Sequence, residues 1–467
     1  MNRRKFLLQA SALSAAMVGF RLLKGFDENS ISSKFGFGQL IKTPGNLIDL
    51  PKGFSYKMIS PHGEKLTDKL IVPSRHDGMA CYGKGNLVTL LRNHELSPEK
   101  KYDVQNNFDA FSPNFEKFKN VDKQKVYDVL SDGSPCLGGV SRIIYDQSKQ
   151  EVVSHEMALL GTFSNCAGGK TPWGSWISSE ETNFKKGYTV RPGVLLNQDH
   201  GYNFEIPFEG KGLVEPIPLK AMGRFRHEAV SIDEMTGIVY QTEDENDSLL
   251  YRYLPSEKGK LLKGGVLQAL KIKDSDIKDT RNWTEKIITV NAKFHTEWVT
   301  LENVDAQEKS LKEQGIAKGC AIFARGEGIC MGAKELFFAC TSGGAKKIGH
   351  IWKYKPNEKE GQGEKNEIGG ELILFCEPEN KSTMQSCDNI CMAPWGDLIV
   401  CEDGSSKENR IIGITPDSIC YEIASNSSSE FAGCCFSEEG KTLFVNIQEP
   451  GATFAINGWW GELKQKP

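Results

Sequence analysis

Apolar and polar positions alternate over short stretches along most of the chain. Runs of Val, Ile, Phe, Tyr and Thr, bounded by Gly, Asn and Asp, recur from about Asp77 to Phe454, and this period-two pattern predicts β-strands. Helical periodicity is scarce after the N-terminal segment, so the expected class is all-β. Six of the runs share one layout: a polar cluster, an apolar strand, a Gly-containing turn, a second strand and another polar cluster. The paired clusters stand fifteen residues apart in Cys166/Glu181, Glu228/Glu243, Glu327/Ser342 and Asp388/Asp403, sixteen apart in Glu430/Asn446 and eighteen in Asp77/Glu95. Two strands of about six residues with a turn between them return to their starting edge after about that length. Both clusters of a unit therefore lie at the same end of a hairpin. Six such hairpins predict a six-bladed β-propeller whose innermost strands aim their polar tips at one mouth of a central channel. The uneven spacing between units predicts insertions, placed near Asn106 to Asp128 and Lys258 to Val299.

Composition narrows this picture. The chain has 467 residues, 39% hydrophobic and 25% charged, which suits a large globular core and excludes disorder and collagen. A formal net charge of −4 with scattered basic residues excludes a nucleic-acid partner. At the N-terminus Arg3-Arg4 precede Phe6-Leu7-Leu8 and an apolar run from Ala10 to Phe20. That order reads as a Tat-type signal over residues 1–30, followed by one propeller domain over 31–467. The Tat translocase is then a partner during export and the destination is periplasmic or extracellular; the other reading of the same segment is an anchor helix.

Candidate chemistry comes from the strand tips. Carboxylates gathered around one axis repel one another unless cations neutralise them, so a multi-metal site is expected. Only eight His occur and none has zinc-ligand spacing, so hard oxygen donors dominate and suit Ca²⁺, with one thiolate, Cys166, in a polar glycine-rich turn. The other cysteines, thirteen in all, sit mostly in apolar strands as small hydrophobes. Gly168-Gly169-Lys170-Thr171 imitates the end of a P-loop but is followed by Pro172-Trp173-Gly174 and a strand instead of a helix. Lys170 is still expected to face the channel as a phosphate contact. Arg325, two residues before Glu327 on a strand read as extended, is placed on the same face as that acid, where a guanidinium can hold an oxyanion by two bonds.

Arg92-Asn93-His94-Glu95, Asn165-Cys166-Ala167-Gly168-Gly169, Thr171-Pro172-Trp173-Gly174 with Glu180-Glu181, and Arg224-Phe225-Arg226-His227-Glu228 stand in order along the chain. They are followed by Arg325-Gly326-Glu327-Gly328, Cys387-Asp388-Asn389, Pro394-Trp395-Gly396 and Glu430-Phe431-Ala432-Gly433. This series resembles the PhoX-type alkaline phosphatases, Tat-exported six-bladed propellers with an iron and calcium cofactor. The resemblance implies hydrolysis of small phosphate monoesters by a monomer at an oxo-bridged Fe³⁺/Ca²⁺ cluster. By the same resemblance Cys166 is the thiolate ligand to iron, Glu228 and Glu327 are cluster carboxylates, and Arg325 binds phosphate. Glu95, Glu180, Glu181, Asp244 and Glu402 are assigned as metal ligands from their place at the strand tips. Two other readings stay open: a calcium-dependent lactonase or phosphodiesterase propeller, which needs neither Cys166 nor Arg325, and a non-catalytic extracellular binding propeller.

Overall fold

A computed structural model describes residues 35–98, 108–113, 115–362, 367–404 and 408–460. The expected signal segment lies outside these residues. The fold is all-β and propeller-like, with one short α-helix among the described residues, Leu311–Ala317, closed at its start by a Ser310/Glu313 capping box.

Each of the six expected hairpins forms. Their strands are His76–Tyr82 with Leu87–His94, Asn165–Lys170 with Ser175–Glu180, and His227–Ile232 with Val239–Glu243. The later three are Gly326–Met331 with Leu336–Cys340, Cys387–Met392 with Leu398–Glu402, and Phe431–Phe436 with Thr442–Ile447. The first strands of the six hairpins pack against one another in chain order, and the sixth packs back on the first, so they close a ring. Further strands extend each hairpin outward. The first, fifth and sixth lie in four-stranded sheets and the second in a three-stranded sheet, while the third and fourth share a nine-stranded sheet. Lys293–Thr300 joins that large sheet by pairing with Gly265–Ile272 on one side and Ile368–Cys376 on the other. Two of these strands fall in the span from Lys258 to Val299 that the sequence assigned to an insertion, because lysines flank their short apolar stretches. The ring is tied by the early strand Ser55–Pro61, which pairs with the late strand Ala452–Asn457.

Sheets stacked on both sides explain why the second strands lack a polar face. Leu336–Cys340, Leu398–Glu402 and Thr442–Ile447 are buried at every position. Burial on both faces replaces simple alternation with continuous apolar runs, here filled by Phe, Val, Ile and Cys.

Every first strand breaks register near its polar end. The breaks fall between His76 and Met79, Asn165 and Gly168, His227 and Val230, Gly326 and Ile329, and Cys387 and Ile390, with Ala432 and Cys435 in the sixth. A bulge re-aims the residue it carries. In the first five hairpins that residue is Asp77, Cys166, Glu228, Glu327 or Asp388. Glycines let the ring tighten at this level: a Cβ on Gly78 would lie 2.5 Å from the Ala167 Cα, and one on Gly328 would lie 2.6 Å from the Asp388 carbonyl oxygen.

Candidate metal centre

The five bulge residues converge. Cys166, Glu181 and Glu228 each offer one ligand atom within 4.8 Å of the others, and Glu228, Glu327 and Asp388 do the same. Glu228 belongs to both groups. The Cys166 Sγ lies 3.4 Å from Glu228 Oε1 and 3.8 Å from Asp77 Oδ2. Gln448 Nε2 donates to Asp77 Oδ2 at 3.0 Å and to Glu95 Oε2 at 3.2 Å, which draws the first and sixth hairpins together. Asp77 Oδ1 and Glu228 Oε2 are buried and have no hydrogen-bond partner. Two buried acceptors left open in this way are costly unless something outside the chain satisfies them.

Electrostatics carry the same message. Burial, followed by the charge of neighbouring acids, pushes the carboxyls of Asp77, Glu181, Glu228 and Glu327 well above the ordinary range. Asp388 is pushed up to about 8, first by burial and then by Asp403. Burial also raises Glu430, with its neighbour Asp403 adding to the effect. The Cys166 thiol is raised by burial and by Asp77 and Glu228. A cation replaces the protons that such groups otherwise retain.

Two arginines border the acids. Arg325 donates from Nε and Nη2 to the two oxygens of Asp244 at 2.6 and 2.8 Å, and Nη2 lies 3.2 Å from Glu327 Oε1. Burial of Asp244 would raise its pKa, but the hydrogen bonds and charge of Arg325 overcome it and hold the carboxylate ionised. The Arg325 side chain keeps 40% of its surface exposed. Its backbone has φ 53° and the strand begins only at Gly326. The extended geometry expected from the sequence is therefore replaced by a left-handed turn that still brings Arg325 to Glu327. Arg226, not singled out from the sequence, pairs with Glu181 and lies 3.6 Å from Asp244 Oδ2.

The structure sorts the other expected residues by a simple rule of alternation. At the end of each second strand one residue turns back into the sheets and the next faces the cluster. Glu180 turns back: it accepts from Phe163 N, the His200 ring, Gly201 N and Tyr202 N. Glu402 does likewise, taking Arg410 at both oxygens and Gln385 N. Their assignment as metal ligands is corrected on this ground. The neighbours Glu181 and Asp403 are the ones whose charge acts on the cluster. Glu95 and Asp244 fall on the cluster side. Lys170 is also corrected. It stands at the turn end of its hairpin, bonded to the Cys81 carbonyl at 2.8 Å and to Glu438 at 3.1 Å, with its ammonium over the Tyr82 ring. Asp77, Asp388, Asp403 and Glu430 were visible as unit boundaries but were given no role. Their place in the same repeated unit as the assigned acids is the signal that points to them.

Comparison with known proteins bears on the whole chain. The sequence model described as alkaline phosphatase PhoX matches residues 35–451. No curated protein matches. Among solved structures the chain is similar to a gluconolactonase from Xanthomonas campestris, at 9% identity over 90% of this chain and 99% of that one with a TM-score of 0.39. It is also similar to a luciferin-regenerating enzyme, at 10% identity over 88% and 97% of the two chains with a TM-score of 0.42.

Proposed function

The chain belongs to the alkaline phosphatase PhoX family, and on that premise we propose that it hydrolyses phosphate monoesters at a mixed Fe³⁺/Ca²⁺ centre in the mouth of a six-bladed propeller. In this reading each hairpin is the inner part of one blade, and Lys293–Thr300 bridges the third and fourth. The observation that carries the proposal is the sharing of Glu228 between two ligand groups beside two arginines.

The residues fit such a centre. Cys166, Glu181 and Glu228 offer a thiolate with two carboxylates, a set suited to a trivalent iron. Glu228, Glu327 and Asp388 offer oxygen alone, as calcium prefers. The open Asp77 Oδ1 and Glu228 Oε2 supply further acceptors. Bound cations supply Lewis-acid polarisation of a phosphoryl group, so no nucleophilic side chain is needed. The chain's own contribution is orientation. Asp244 and Glu327 fix the Arg325 guanidinium, whose exposed part is available to a phosphate oxygen, and Glu181 fixes Arg226 alongside it. Both cations stabilise charge on the transferring group without reorganising. A lactonase or phosphodiesterase propeller with one calcium has no use for Cys166 or Arg325. Export of a monomer by the Tat pathway to the periplasm or beyond accords with a centre assembled before translocation.

Hydrolysis of a chromogenic phosphate monoester at alkaline pH is expected to fall at least about tenfold when calcium is chelated, and to return when calcium is restored. Full activity of protein stripped of all metal would overturn the proposal.

A further inference from the structure

The thiols of Cys391 and Cys434 lie 3.6 Å apart, sulfur to sulfur. They belong to the first strands of the fifth and sixth hairpins, which pack side by side in the ring without sharing a sheet. Cys434 is 5% exposed and Cys391 is half-buried. Cys401, from the second strand of the fifth hairpin, also meets Cys434. Small-hydrophobe packing accounts for cysteines such as Cys387, whose sulfur faces the backbone carbonyls of Cys340 and His350. It does not account for two thiols that meet each other across a junction between sheets.

We propose that Cys391 and Cys434 are a disulfide-forming pair that staples the fifth hairpin to the sixth. A disulfide bond is about 2 Å long, so the sulfurs need to close by about 1.5 Å, within reach of side-chain rotation. The oxidant is a small-molecule disulfide. Cys391, the more accessible partner, gives up its proton to solvent, attacks one sulfur of the oxidant and releases one thiol. Cys434 then attacks Cys391 Sγ in the mixed disulfide and releases the second thiol. Two protein thiols lose two protons and two electrons, and the small disulfide gains both as two thiols. The bond closes a loop of 43 residues that contains the whole second strand of the fifth hairpin and the strands outside it. It also adds a covalent tie between the sixth hairpin and the strand carrying Asp388, which are otherwise joined by packing and by the hydrogen bond from Gly433 N to Asn389 Oδ1.

The test uses the full-length protein, reduced and then incubated with oxidised glutathione, alkylated, digested and examined by mass spectrometry. The expected result is a linked peptide pair carrying Cys391 and Cys434, lighter by two hydrogens than the sum of its reduced halves. The linkage is expected to persist in Cys401→Ser and to vanish in Cys391→Ser, in which Cys434 is alkylated. Alkylation of both residues in the wild type would overturn the proposal. So would a bond from Cys434 to Cys401 or Cys435 in place of Cys391.

Discussion

Replacing Glu228 by glutamine is expected to lower phosphomonoester hydrolysis by about a hundredfold or more and to strip bound metal, with the fold intact. Glu228 is the residue common to both ligand groups, and its Oε2 is buried without a partner. Glutamine keeps the shape but loses the charge and one acceptor. The consequence for stability has the opposite sign. Burial and the nearby Asp388 raise the Glu228 pKa above its ordinary 4.5, so without metal the folded state holds a proton that the unfolded state releases. That difference makes metal-free protein less stable as pH rises above 4.5, and glutamine, which does not titrate, removes it. Metal-free Glu228→Gln should therefore melt no lower than metal-free wild type at alkaline pH. Rate, metal content and melting temperature, measured on one preparation, check all three expectations. A variant that keeps its metals and its rate would show that Glu228 is a structural acid.

The second large effect is expected at Arg325. Lysine retains the charge but cannot reach both oxygens of Asp244 while presenting a planar group to phosphate. Arg325→Lys should lower kcat about tenfold or more with metal content unchanged. Glu327→Gln should behave differently and lose metal first, since Glu327 lies in the ligand group with Glu228 and Asp388. The comparison separates phosphate orientation from metal retention in two residues that stand two positions apart and touch at 3.2 Å. If Arg325→Lys loses metal as Glu327→Gln does, the arginine serves only to hold Asp244. The phosphate contact then falls to Arg226, which borders the same acids, and not to Lys170, which is occupied at the other end of its hairpin.

Much of the architecture was legible because hairpin length is fixed by strand rise. A spacing of fifteen to eighteen residues between polar clusters located all six hairpins and put Cys166, Glu228 and Glu327 at one end. What spacing cannot convey is the direction of a side chain within a pair of adjacent acids. Glu180-Glu181 and Glu402-Asp403 read alike in sequence. Only the pleat decides that the first acid of each turns toward His200 or Arg410 and the second toward the acid cluster. The bulges were hidden for a related reason. One unpaired residue leaves no compositional trace, yet it brings Asp77 and Asp388 into the cluster of acids. Lys170 was misplaced by local likeness to a phosphate loop, although its position beside the hairpin turn already put it a full strand from Cys166.

The central claim is that acids and a thiol from separate hairpins exist in this arrangement to hold cations. Elemental analysis of the wild-type protein, purified without chelator, tests it most directly. Iron and calcium are expected to co-purify with the wild type and to be lost together from Glu228→Gln. Active protein that contains neither element above background would contradict the claim.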